Sequence, residues 1–137
     1  MDIEYKVNPT ITTDEFIEVL KNSTLGERRP IDDIECINGM VENADIIVTA
    51  TQNNKIIGVA RAVTDFHYCC YLSDLAVDKS CQKSGVGKKL IEIVQTEIGE
   101  KCKIILLSAP QATEYYPKIG FEQHQSAWVI KSREGLK

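Results

Sequence analysis

The stretch Tyr71-Leu72-Ser73-Asp74-Leu75-Ala76-Val77, followed by Gln82-Lys83-Ser84-Gly85-Val86-Gly87 and then by Leu90, Ile91, Val94 and Ile98, decides the reading of this chain. The first seven residues are a short apolar run with a β-branched end, which predicts a buried strand. The last four recur at three- and four-residue spacing, one face of a helix, with Lys88, Lys89, Glu92 and Glu97 largely off it. A strand therefore feeds a glycine-containing turn that opens a helix. Glycines at alternate positions let the backbone take positive φ and let a ligand approach its amides. The first amides of a helix lack intrahelical partners, and the helix dipole draws anions to them. Phosphate is the natural guest, with Lys83 and Lys88 adding positive charge. The same residues would serve equally as a plain turn and helix start, so the flanks have to decide.

Upstream, Ile3-Glu4-Tyr5-Lys6-Val7 alternates as a half-buried strand does, and Thr12 or Thr13 can cap a helix over Asp14 to Lys21. Asn22 to Gly26 is loop by composition, and a second helix is predicted from Ile31 to Glu42. Asp45 to Thr51 and Lys55 to Val63 read as a hairpin closed by Gln52-Asn53-Asn54, leading through Thr64-Asp65-Phe66-His67 into the strand over Cys69 to Val77. After the central helix, Lys103 to Ser108 reads as a fully buried strand, and strand, helix, strand in that order is a parallel crossover. A short helix starts at Ala112 and is remodelled by Pro117; Gly120 permits a reversal, and Ser126 to Lys131 is the last strand. One mixed α/β domain over residues 1–137 accounts for the whole chain.

Composition narrows the function. The formal charge of −4 argues against a nucleic-acid partner, and a hydrophobic share of 43% is ordinary for a globular domain. The start Met1-Asp2-Ile3-Glu4-Tyr5 is acidic where a signal peptide needs a basic one, and no apolar run is long enough for a bilayer, so a cytoplasmic location without membrane contact is expected. Five cysteines without a C-x-x-C pair signal neither disulfides nor a metal site, and reduced core thiols are expected. Arg28 and Arg29 could hold a substrate carboxylate, although a solvated pair of arginines is the commoner case.

The order of parts carries more than any single motif. Hairpin, strand ending Asp74-Leu75-Ala76-Val77-Asp78, Gln82-x-x-Gly85-x-Gly87, amphipathic helix, strand, and then Ala112-x-x-x-Tyr116-Pro117-Lys118-Ile119-Gly120-Phe121 resembles the GNAT superfamily of acyl-coenzyme A-dependent N-acyltransferases. The resemblance covers essentially the whole chain, most strongly Lys55 to Phe121. It implies a mixed, mostly antiparallel central sheet of six to seven strands with about four helices, and transfer of an acetyl group from acetyl-CoA to a primary amine of a small molecule or peptide. Gln82, Lys83, Ser84, Gly85, Val86, Gly87 and Lys88 would hold the coenzyme A pyrophosphate. Leu75, Ala76 and Val77 would pair with the pantetheine arm, and the Leu75 amide would polarise the thioester carbonyl.

Tyr116 matches the family tyrosine that protonates the departing thiolate, with Tyr115 its local competitor. For the general base, Asp74, Asp65, Glu114 and His67 are candidates, Asp74 being next to the presumed site; no motif marks any of them. The chain departs from many relatives in carrying Ser108-Ala109-Pro110-Gln111 where they place an asparagine, and Pro117 where a charged helix former is usual. The same fold would also suit a non-catalytic acyl-CoA sensor or regulatory module. A Walker-type nucleotide loop is poorly matched, because the Gly-Lys-Ser/Thr ending is missing. Homodimer formation through the last strands is compatible with the architecture.

Overall fold

Asn53 and Asn54 both take positive φ, 53° and 63°, the conformation a two-residue hairpin turn demands and asparagine tolerates. They join β2 (Ile46–Gln52) to β3 (Lys55–Thr64). In the computed structural model, which describes residues 2–137, that hairpin is the middle of a five-stranded sheet in the order β1-β2-β3-β4-β5. Met1, the first residue of the acidic start, lies outside the described residues. β1 (Glu4–Val7) and β4 (Cys69–Val77) flank the hairpin antiparallel, and β5 (Lys103–Ile105) pairs with β4 in parallel. The crossover between β4 and β5 carries α3 (Val86–Ile98).

Helices cover both faces. α1 (Thr13–Asn22) is held at its start by a reciprocal capping box between Thr12 and Glu15, and α2 (Ile34–Glu42) by the carboxylate of Asp33 on the Cys36 amide. Because Asp33 caps, α2 begins at Ile34 and not at Ile31; Pro30 to Asp33 forms a turn instead. Phe16, Val19 and Leu20 of α1 and Ile37 of α2 pack on Ile47, Val59 and Ala76. On the opposite face Val86 and Leu90 of α3 lie directly over Gly58, where a Cβ would sit 3.1 and 3.2 Å from their side chains. A glycine in a strand interior here permits a helix to approach the sheet closely.

Other expectations are corrected as well. Asn22 to Gly26, read as loop, instead holds the end of α1 at Asn22 and the start of a 3-10 turn over Thr24–Arg28, capped by the Ser23 hydroxyl. β5 ends at Ile105 and is not fully buried, since Ile105 is 50% exposed. The segment Ser126 to Lys131 forms no strand: Trp128 is 91% exposed, and among the described residues the sheet has five strands, not six to seven. A β-rich composition orders as a strand only against an edge that accepts its backbone.

The chain falls into two compact units, residues 1–107 and Ser108–Lys137. In the second, Pro110–Ala112 is a 3-10 turn and α4 spans Tyr115–Lys118. The helix expected from Ala112 is therefore displaced, which puts Pro117 in the first turn, where its missing N–H is tolerated. Among the described residues no helix is long and apolar enough to cross a membrane.

Candidate functional site

The amide of Asp78 donates to the Ile57 carbonyl at 2.7 Å, which fixes the alternation of β4 against β3. Counting back along the strand, Ala76 also turns its N–H and C=O toward β3, so those of Leu75 and Val77 point the other way. On that other side β5 pairs only with Cys69, Cys70 and Tyr71. The C-terminal half of β4 has thus left its parallel neighbour, and Leu75 and Val77 present backbone groups along an unpaired edge. An extended chain with amide groups of its own can add there. The Val77 carbonyl meanwhile accepts from the Gln82 side-chain amide at 3.2 Å.

From that edge the chain turns into α3. Asp78 braces the turn: its Oδ1 accepts from the Ser80 amide (2.9 Å) and hydroxyl (2.8 Å), and Lys55 Nζ lies 3.4 Å from Oδ2. The Ser80 amide, above all, holds this carboxyl below the ordinary range. Lys83 and Gly85 take positive φ, 67° and 87°, and the Ser84 hydroxyl donates to the Cys81 carbonyl. Gly85 occupies the N-cap position, where it has no side chain to offer, and the first helical bond runs from the Lys89 amide to the Gly85 carbonyl at 3.0 Å. The Val86, Gly87 and Lys88 amides therefore open the helix without a capping side chain. Val86 is buried against Gly58 and anchors this end, while Lys83 and Lys88 are exposed. Gln82 to Lys88 thus lie together as a loop and helix start able to hold an anion.

Asp74 stands elsewhere in the chemistry. It is fully buried, Arg29 Nε donates to its Oδ1 at 2.5 Å, and Arg61 Nε donates to its Oδ2. A general base must offer a free oxygen to the substrate, and both of these are taken by guanidinium groups, so the base role expected for Asp74 is set aside. Arg29 is correspondingly committed, whereas Arg28 is exposed. Asp65 is occupied too: three backbone amides, of Tyr68, His67 and Cys69, hold its carboxyl down at about 2. His67 Nδ1 lies 3.0 Å from the Asp65 carbonyl, at the start of β4. Leu75 is six residues further on from Cys69, roughly 20 Å of extended strand, so His67 cannot serve chemistry at that amide.

Arg61 and Ser73 escaped the sequence reading. A signal existed: Arg61 interrupts an apolar strand and Asp74 interrupts the next, and a charge in a buried strand requires a partner.

In the second unit Tyr116 packs edge-to-face on Tyr115 and Phe121, with ring centroids at 5.2 and 5.4 Å. The Phe121 amide donates to the Tyr116 carbonyl at 3.0 Å, closing the turn that Gly120 permits at φ 110°. Burial, followed by the neighbouring Tyr115, pushes the Tyr116 phenol up to about 12. The five cysteines are free; Cys70 is buried, but Cys36 is exposed, so core packing does not account for all of them. Among the described residues no three metal-ligating side chains converge.

Known proteins are similar to this chain in sequence and in fold. The family model of the acetyltransferase (GNAT) domain matches residues 16–132. The uncharacterized N-acetyltransferase ycf52 of Pyropia yezoensis is 29% identical over 142 residues, covering 99% of this chain and 75% of that protein. The chloroplastic GCN5-related N-acetyltransferase 2 of Arabidopsis thaliana is 36% identical over 76 residues, 52% of this chain but only 28% of that protein. In three dimensions the chain is similar to the aminoglycoside N-acetyltransferase AAC(6')-Iy in complex with CoA, with a TM-score of 0.73 and 19% identity over 96% of this chain and 95% of that one. With the family model spanning most of its length and carrying both the glycine loop and the Tyr116 turn, this chain belongs to the GNAT acetyltransferase family.

Proposed function

We propose that this protein transfers an acetyl group from acetyl-CoA to a primary amine of a small molecule or peptide by direct attack on the thioester, with residues 1–137 acting as one acyltransferase domain. The observation that carries this reading is the released edge of β4 running straight into the uncapped start of α3. Amides of Gln82 to Lys88 would take the pyrophosphate, and backbone groups of Leu75 and Val77 the pantetheine arm; those of Ala76, expected to share in this, are committed to β3. The Leu75 N–H, aimed off the sheet edge, would then stabilise the negative charge that grows on the thioester oxygen. The CoA complex of the AAC(6')-Iy neighbour supports the cofactor, and the family match across both units supports the single domain.

Tyr116 is the proposed general acid. A phenol raised to about 12 keeps its proton at neutral pH and can give it to the leaving thiolate as the carbon–sulfur bond breaks. The attacking nitrogen loses its proton to water or to Glu114, since Asp74 and Asp65 are occupied and His67 is remote. The protein would work in a water-filled compartment, the cytoplasm or, as the name of the Arabidopsis relative suggests, a plastid.

Calorimetric titration of acetyl-CoA tests the reading. Micromolar binding to the wild type, abolished in Gly85→Glu, is expected, because the substitution brings a carboxylate to the phosphate position and forces a side chain onto φ 87°. Failure of the wild type to bind overturns it. A non-catalytic acyl-CoA sensor has one observation in its favour, the withdrawal of Asp74 from any substrate. Thiol release with a panel of primary amines separates the two: an enzyme turns over, and a sensor binds acetyl-CoA with no release.

A further inference from the structure

The register of β4 against β3 slips by one residue beside the buried ion cluster. Arg61 pairs with Asp74 and Ala62 with Leu72, so Ser73 is an extra residue with no partner across the ladder. It is a β-bulge, and a bulge re-aims the residues that follow it. Both polar groups of Ser73 that the ladder leaves over are claimed by arginines. Arg29 Nη2 donates to the Ser73 carbonyl at 2.7 Å, and Arg61 Nη2 donates to the Ser73 hydroxyl at 2.8 Å. The Nε atoms of the same two arginines hold the two oxygens of Asp74, the next residue. Arg29 Nη1 also donates to the Arg28 carbonyl at 2.8 Å, and Arg61 Nη1 lies 3.4 Å from the Met40 carbonyl.

We propose that Arg29, Asp74 and Arg61 form a positioning clamp that fixes the Ser73 bulge, and so sets the direction in which the Leu75 amide is presented to the thioester carbonyl. This rests on the acyltransferase reading above. Burying an ion cluster costs desolvation that apolar side chains of similar volume avoid, so such a cluster is poorly explained as a source of stability alone. Its geometry serves better as a fixture. Two planar guanidiniums, each using Nε on the carboxylate and a terminal nitrogen on the residue before it, hold Ser73 and Asp74 as one rigid pair. Arg29 comes from the connection between the Thr24–Arg28 turn and α2, so the clamp also couples that connection to β4. Arg61 comes from β3 itself. The ammonium of a lysine, on a longer flexible stem and without the planar fork, cannot reproduce the paired bonds that Arg29 makes to Asp74 and Ser73.

The test uses the intact chain and acetyl-CoA labelled with 13C at the thioester carbonyl, read by difference infrared spectroscopy, with affinity measured in parallel by calorimetry. In the wild type the bound carbonyl stretch moves to lower frequency than in free acetyl-CoA, the signature of a hydrogen bond to the oxygen. Arg29→Lys is expected to bind acetyl-CoA within about threefold of the wild type, since the phosphate loop is untouched, yet to lose most of that shift. Ser73→Ala, which removes only the hydroxyl tie and keeps the fold if Arg29→Lys does not, should lose part of it. A full shift retained in a folded Arg29→Lys or Ser73→Ala protein overturns the clamp. So does a wild type that binds with no shift at all. Failure of the wild type to bind acetyl-CoA overturns instead the reading on which the clamp rests.

Discussion

Replacing Gly58 by alanine would press the sheet against α3, and the size of the effect follows from the distances. The added Cβ would lie 3.1 Å from Val86 Cγ1, 3.2 Å from Leu90 Cδ1 and 3.5 Å from Ala50 Cβ. Carbon atoms rest comfortably at about 3.5–4.0 Å, so the first two contacts are too close by some tenths of an ångström and the third is acceptable. Either α3 retreats or Leu90 leaves its rotamer, an overpacking cost of about 1–3 kcal/mol. Alanine also restricts the unfolded chain, which offsets about 0.4–1 kcal/mol. A net loss of about 1–2 kcal/mol follows. At about 2 cal/mol/K of unfolding entropy per residue over 137 residues, that lowers Tm by about 4–7 °C in a circular-dichroism melt. Adding Val86→Ala removes the 3.1 Å partner, so the same glycine substitution should cost clearly less in that background. Because α3 carries the Gly85 to Lys88 amides, acetyl-CoA affinity should weaken in Gly58→Ala and partly return in the double variant. An unchanged or higher Tm for Gly58→Ala, with no coupling to Val86, would refute the close approach of helix and sheet.

Four further outcomes are expected. Thr12→Ala breaks the capping box on α1 and should cost about 1 kcal/mol in urea unfolding, with no change in acetyl-CoA affinity. Asp65, held near 2 in the fold against 3.8 as the ordinary value, favours the folded state above that ordinary value and loses this contribution as pH falls from about 4 to about 2; Asp65→Asn should flatten the acid limb of a stability profile in that window. Tyr116→Phe should lower kcat by about 10²-fold while leaving acetyl-CoA binding by calorimetry nearly unchanged, the split expected of a proton donor. The Tyr116 phenol also sets an alkaline limit: its folded value of about 12 lies above the ordinary 10.0, so stability should decline as pH rises from 10 toward 12, and less so in the phenylalanine variant.

Much of the sheet was legible because its signals are local. The hairpin rests on two asparagines that accept positive φ, α1 on a threonine cap, and α3 on four apolar residues at helical spacing, and each appears where the sequence places it. The loop ahead of α3 was legible for the same reason, since Gly85 is needed at a left-handed N-cap. Errors fell where a segment depends on distant partners. Ser126 to Lys131 has the composition of a strand, but composition supplies no neighbour for its amides. Ile31 to Asp33 has helix-forming neighbours, but the cap at Asp33 won over a start three residues earlier.

Asp74 shows the same limit inside the site. By sequence it is an acid next to a strand end and a glycine loop, which is where catalysis by a carboxylate would place one. What decides its role is two arginines, 45 and 13 residues away, that local pattern does not connect to it. The burial that makes Asp74 resemble a tuned catalytic acid is also what makes it need those partners, because an unpaired carboxylate in that strand would cost several kcal/mol. A buried carboxylate with both oxygens bonded to guanidinium groups is held rigid, and rigidity rather than proton exchange is what it can lend to the Leu75 amide one residue on. Removal of the charge in Asp74→Asn should therefore damage catalysis through the geometry of β4, and the pH dependence of what turnover remains should keep its wild-type shape; a displaced or lost pH limb would return Asp74 to proton transfer.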